Sequence, residues 1–71
     1  MNMLYCVEER HIAHTDRLIG TVVRNARHNE KPDYRLTCHT GGPVECYTAL
    51  FPTLEAARQY EAKLWNEYGR G

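Results

Sequence analysis

The sequence contains no apolar run approaching the roughly 20 residues that a membrane-spanning helix requires. It also has no net charge, since nine lysines and arginines balance nine aspartates and glutamates. The 71 residues are enough for a single small domain, 1–71. A core of that size rarely yields more than roughly 3–5 kcal/mol of net stability. These figures exclude transmembrane proteins, large multi-domain enzymes and repeat arrays.

Motifs for catalysis and cofactor binding are also missing. No Cys-x-x-Cys pair is present, and nothing marks a nucleophile elbow behind any cysteine. The glycines of Gly41-Gly42-Pro43 precede a predicted strand, whereas a phosphate-binding loop opens a helix. We therefore expect no enzymatic activity and no cofactor. A zinc-stapled small domain is an alternative, because structural zinc sites draw on closely spaced cysteine and histidine ligands such as His11 and His14.

The first nine residues lack the basic segment of a secretory signal. The expected compartment is therefore the reducing cytoplasm, where thiols stay free. Cys6, Cys38 and Cys46 agree with that expectation, because an odd number cannot pair completely. Each is interpreted as a small buried hydrophobic residue on a strand.

Residues 54–68 have the pattern of an amphipathic helix. Thr53 is the predicted N-cap, Glu55 lies in the first turn, and Gly69 supplies the stop. Glu61 falls inside the apolar arc of this helix, so its carboxylate must reach solvent, a base or a hydrogen-bond donor. The sharpest hypothesis is a buried pair with His39 or Arg35.

Strands are predicted upstream of the helix. Residues 34–40 and 44–51 form a predicted hairpin through the turn at 41–43, and residues 3–8 are a further strand. Residues 15–28 fit a helical stripe, but Gly20 and the β-branched run 21–23 favour a strand. We therefore predict an α+β fold, a small antiparallel sheet of three to four strands, arranged as a meander, packed against one C-terminal helix. The alternative is β-α-β-β-α.

Positive charge concentrates in the middle of the chain. Residues 10–35 contain six lysines and arginines against three acids. Within this segment, the loop 24–35 carries Arg24, Arg27, Lys31 and Arg35, with asparagines interleaved. Arginine and asparagine on a β-hairpin can read guanine and adenine in a major groove. A sheet-based DNA-binding module that uses this loop is therefore an alternative function.

Two resemblances bear on function. The junction Phe51-Pro52-Thr53-Leu54-Glu55-Ala56-Ala57-Arg58-Gln59-Tyr60 resembles the strand-to-helix junction of AP2-like arm-binding domains of phage integrases. The match covers roughly residues 34–65 and implies three strands, one helix and DNA binding. In size and character, the chain is similar to small accessory proteins of phages and mobile elements, including anti-CRISPR inhibitors.

The function that these observations favour is non-catalytic binding. We expect a small inhibitor or regulator that binds a protein or nucleoprotein partner, which includes a second copy of itself. Tyrosine, tryptophan and arginine dominate interface energetics. If Cys46 points towards the helix, Tyr47 and Phe51 form an exposed patch near Arg35. The candidate contact residues are Tyr47, Arg35, Tyr34, Arg24, Arg27 and Lys31.

Overall fold

The computed structural model describes residues 3–39 and 42–69. It contains four strands followed by one helix, which confirms the predicted α+β arrangement of a small sheet packed against a C-terminal helix. The elements are β1 (Tyr5–Ile12), β2 (Arg17–Asn25), β3 (Asp33–His39), β4 (Gly42–Phe51) and α1 (Leu54–Tyr68).

The four strands form one antiparallel sheet in the order β2-β1-β4-β3. The expected meander order is therefore wrong. The loop 26–32 carries the chain from the β2 edge to the β3 edge, so β1 and β4 pair at the centre. Cys6 and Val7 alternate on β1 and both are fully buried, so this central strand is covered on both of its faces.

Residues 15–28 contribute β2 and not a helix, so the β-α-β-β-α alternative is wrong. The β-branched run Thr21-Val22-Val23 pairs in register with Glu9, Glu8 and Val7 of β1. The β1–β2 turn ends at Asp16, whose φ of 56° an aspartate tolerates better than most residues. The register then shifts beside Arg10 and His11.

The helix α1 begins and ends where the sequence predicted. Thr53 is its N-cap and accepts a hydrogen bond from the Ala56 backbone N–H at 3.1 Å. Gly69 caps the C-terminus by donating its backbone N–H to the Trp65 carbonyl at 3.0 Å. A Cβ at Gly69 would lie 2.5 Å from that carbonyl oxygen, so a glycine is required here.

The helix covers only part of the sheet. It contacts β2, β1 and, less, β4, and it does not contact β3 within the described ranges. The core beneath it is built from Val7, Leu18, Ala57 and Leu64. The β3 side of the helix-facing surface therefore stays uncovered, and the site described below lies there.

Glu61 accepts a hydrogen bond. Its Oε2 receives the Thr21 hydroxyl at 2.6 Å, and the Thr21 Oγ1 in turn accepts the Trp65 indole N–H at 2.9 Å. The predicted pair with Arg35 is wrong, because Arg35 lies on the edge strand β3, which the helix does not contact. The side chain of the other predicted partner, His39, lies outside the described part of the structure.

Within residues 3–39 and 42–69, no helix is both long and apolar enough to cross a membrane.

Candidate functional site

The strand register decides which residues face the helix. Directly opposed residues of an antiparallel pair share one face of the sheet. Tyr47 opposes Glu9, and Phe51 opposes Tyr5. Since Glu9 bonds to Tyr60 of α1, the helix side carries Tyr47 and Phe51. Cys46 therefore lies on the opposite side, which we call the open face.

This placement corrects the expected aromatic patch. Phe51 is half-buried and packs on Tyr60 of the helix, with ring centroids 4.9 Å apart. It belongs to the rim of the core and is not an exposed contact residue. Tyr47 is exposed on the helix side of the sheet and not on the face away from the helix, because the helix does not reach the β3 side of β4.

A pair of tyrosines occupies the uncovered β3 side of the sheet. Tyr34 of β3 lies directly opposite Tyr47 of β4, with ring centroids 4.9 Å apart and planes tilted by 45°. Both hydroxyls donate to the same oxygen of Glu45, Oε2, at 2.9 and 3.0 Å. Hydrogen bonding to this carboxylate raises the pKa of both tyrosines, so both hydroxyls remain protonated and neutral.

Leu36 extends this surface along β3. It opposes Glu45 in the strand register and is 58% exposed, while Tyr34 is 50% exposed. We call Tyr34, Leu36, Glu45 and Tyr47 the tyrosine face. Exposed aromatic and aliphatic side chains beside a carboxylate are typical of a surface that binds another molecule.

A buried polar cluster adjoins the tyrosine face. The Glu9 carboxylate accepts the Tyr60 hydroxyl at 2.6 Å and His11 Nε2 at 2.7 Å. His11 Nδ1 lies 3.2 Å from the Asp16 carbonyl oxygen, so each ring nitrogen lies against an oxygen atom of the protein. Burial, and then the bond to Glu9, raises the pKa of Tyr60 far above its usual range.

Aromatic edges join this cluster to its surroundings. The His11 ring stands edge-on to Tyr47 at 5.7 Å and to Tyr68 at 5.3 Å. Glu9 and His11 lie on one face of β1, because side chains alternate along a strand. Tyr60 and Tyr68 come from two different turns of α1. Hydrogen bonds and ring contacts therefore tie the helix to the edge of the tyrosine face.

An open hollow of about 850 Å³ lies between the helix and β3. Among the described residues, three carboxylates line it and no lysine or arginine does. The full lining is Glu9, His11, Asp16, Pro32, Asp33, Tyr34, Tyr47, Thr48, Ala49, Tyr60 and Tyr68. The hollow is therefore aromatic and acidic.

Sequence reasoning missed Glu9, His11, Tyr60 and Tyr68 as parts of this site. The predicted first strand ended at Glu8, whereas β1 continues to Ile12. Had the strand been extended, the alternation of Tyr5, Val7, Glu9 and His11 would have placed a carboxylate and an imidazole on the helix side.

The predicted basic residues lie elsewhere. Arg24, Arg27, Lys31 and Arg35 line a second hollow, together with Glu8 and Glu30. Glu8 and Arg35 belong to the open face, because they alternate with residues of the helix side. The structure therefore gathers the four basic residues in one place and separates them from Tyr34 and Tyr47.

Arg24 is engaged within the protein. Its Nε donates to Glu8 at 2.9 Å, and its two terminal nitrogens donate to Glu30 at 2.8 and 2.7 Å. Glu30 also accepts the Arg27 backbone N–H, and its pKa falls to about 2, chiefly through the bonds from Arg24. Arg27, Lys31 and Arg35 are exposed. Arg24 thus holds the loop 26–32 against the sheet.

The cysteines are unpaired thiols in three environments. Cys6 is buried under Glu30, Cys46 is half-buried and Cys38 is exposed. Burial raises the pKa of the Cys6 thiol. In residues 3–39 and 42–69, no three histidine, cysteine, aspartate or glutamate side chains are grouped so that they could hold a metal ion.

No family model, no curated protein and no solved structure matches this chain. Its function is therefore inferred from the geometry of these two faces.

Proposed function

We propose that this chain is a non-catalytic binding module and that a protein partner docks on the tyrosine face. The observation that carries the proposal is the incomplete cover that α1 gives the sheet. Tyr34, Leu36 and Tyr47 remain exposed on the side of the sheet that elsewhere forms the core. Covering them would complete the layer that the helix leaves unfinished.

The chemistry of this surface supports a protein partner. Tyrosine combines a large apolar ring with a polar hydroxyl and is enriched at protein interfaces. β3 is also an edge strand, so its outer backbone groups are free to pair with an incoming strand. Phosphate groups would meet the Glu45 carboxylate on this side, which disfavours a nucleic acid here.

The mode of action that we propose is that of a small inhibitor or regulator. A module of 71 residues that covers one surface of a partner acts by blocking or altering that surface. The resemblance in size and character to phage accessory proteins, including anti-CRISPR inhibitors, supports the same proposal. The unpaired thiols support a cytoplasmic location.

The test is affinity capture from the source cells with a matched pair of variants. Leu36→Ser changes an exposed residue of β3, and Ile19→Ser changes a residue of similar exposure, 58% against 48%, on the other edge strand, β2. We expect a defined protein to be captured by the unchanged chain and by Ile19→Ser, and to be lost with Leu36→Ser. Light scattering of the purified chain tests whether the captured partner is a second copy.

Capture that is equal for both variants would refute the proposed face. Capture that requires nucleic acid, and that Arg27→Ala and Lys31→Ala weaken, would refute it in favour of DNA binding through the loop 24–35. That alternative has its own support, since Arg27, Lys31 and Arg35 are exposed around one hollow on the open face. Arg24 is expected to contribute nothing directly, because Glu8 and Glu30 occupy its donors.

A further inference from the structure

We infer that the tyrosine face recognises a cationic side chain, arginine or lysine, of its protein partner, seated against Tyr34 and Tyr47 beside Glu45. This inference rests on the proposed function and specifies the chemistry of the partner. Charge complementarity carries it: Glu9 and Asp16 line the hollow beside the two rings, together with Asp33, whose carboxylate lies 3.9 Å from Arg35, and among the described residues no lysine or arginine lines the hollow.

The charge of the buried cluster does not oppose this inference. His11 is the one basic group among the lining residues that the structure describes. Its Nε2 lies 2.7 Å from Glu9, and both side chains are nearly inaccessible to solvent. The pair is therefore closed to a partner's side chain, and Asp16 and Glu45 give the surrounding surface its negative sign.

Glu45 is arranged to accept a further donor. Both tyrosine hydroxyls use Oε2, and within residues 3–39 and 42–69 no hydrogen bond reaches Oε1. The two hydroxyls fix the carboxylate against the rings, so its second oxygen is held in place with no partner among the described residues. A guanidinium or ammonium group supplies the donor that this oxygen lacks.

The two rings supply the other half of the recognition. A cation over the face of a tyrosine, within about 6 Å of its centroid, is attracted by the ring quadrupole. The rings of Tyr34 and Tyr47 pack on each other, with centroids 4.9 Å apart, so a cation can lie over the outer face of either ring. A neutral side chain of the same shape gains neither this attraction nor the charge-assisted bond to Glu45.

The inference is tested with short capped peptides, Gly-Gly-X-Gly-Gly, in which X is arginine, lysine or citrulline. Citrulline is the neutral isostere of arginine. The readout is the ring signals of the five tyrosines in carbon–proton correlation spectra. We expect saturable shifts of Tyr34 and Tyr47 with arginine or lysine, and an affinity for citrulline weaker by about fivefold or more. The stronger of the two cationic peptides identifies the preferred side chain.

Matched variants separate charge from shape. Glu45→Gln keeps an oxygen for the tyrosine hydroxyls but removes the charge, and should weaken the arginine peptide by about fivefold. Glu55→Gln, on an exposed position of α1 outside the hollow, should leave binding unchanged. Equal binding of arginine and citrulline, an equal loss in both variants, or shifts without saturation would overturn the inference.

This inference and the proposed function fail separately. If the peptides do not bind while Leu36→Ser still abolishes capture of the partner, the cationic specificity is wrong and the proposed face stands. If capture does not depend on Leu36, the proposed function is wrong, whatever the peptides do.

Discussion

The hydroxyl of Tyr60 offers the sharpest test of how the helix is held on the sheet. It donates to the buried Glu9 carboxylate at 2.6 Å, and Tyr60→Phe removes this donor while keeping the ring that packs on Phe51. A hydrogen bond to a charged group contributes about 1.5–3 kcal/mol. We therefore expect Tyr60→Phe to lower the free energy of unfolding by about 2 kcal/mol.

This loss is large for a chain of 71 residues. Since 1 kcal/mol shifts the melting temperature of such a domain by about 4–8 °C, the expected decrease is about 8–16 °C. Circular dichroism during heating and during urea unfolding measures both quantities. Tyr68→Phe is the matched control, because Tyr68 also lines the hollow from α1 but its hydroxyl donates no hydrogen bond within the described ranges.

The reasoning is refuted if Tyr60→Phe and Tyr68→Phe destabilise the protein equally, or if Tyr60→Phe stays within about 0.5 kcal/mol of the unchanged chain. A double-mutant cycle with Glu9→Gln isolates the pairwise contribution. If the hydroxyl–carboxylate bond holds the helix, the two single losses should not add in the double variant.

Four further predictions concern the open face, the cysteines and the helix end. Arg24→Ala should lower the free energy of unfolding by about 1.5–3 kcal/mol in urea titrations, because it leaves Glu30 without its charged donors; an unchanged midpoint contradicts this. Because the pKa of Glu30 in the folded protein is about 2, below its ordinary 4.5, the stabilisation is complete above pH 4.5 and is lost as the pH falls towards 2. The decrease in the free energy of unfolding on acidification, measured by acid titration, should be smaller in Glu30→Gln than in the unchanged chain. In a thiol-reagent assay, Cys38 should react at once and Cys6 only on unfolding, since Cys6 is buried with a raised pKa; equal rates would contradict its burial. Gly69→Ala should lower the melting temperature, because its Cβ would lie 2.5 Å from the Trp65 carbonyl oxygen; an unchanged melting curve would contradict this.

Local signals in the sequence predicted the elements but not their order. The Thr53 cap and the apolar spacing define α1, and the β-branched run 21–23 defines β2. Strand alternation shows which residues share a face, but it does not show which strands pair. The position of β1 at the centre depends on the loop 26–32 crossing to the far edge, and on Arg24 holding that loop through Glu30.

The sequence analysis named two of the tyrosines of the candidate site but not their arrangement. Tyr34 and Tyr47 were both identified, yet their pairing required the β3–β4 register. Arg24 was expected to contact DNA because charges were counted by segment. Its partner Glu8 lies on the neighbouring strand, 16 residues earlier. A count of charges within one segment therefore could not show that the Arg24 guanidinium is hydrogen-bonded to Glu8.

The pairing of β1 with β4 joins Tyr5 to Phe51 and so spans most of the chain. Each hairpin closes over a short turn, but the centre of the sheet closes only when two distant segments meet, and such contacts slow folding. On the ribosome, β1 has only β2 to pair with until β4 has been synthesised. We therefore expect the two hairpins to form early and the pairing of β1 with β4 to be the last step of folding.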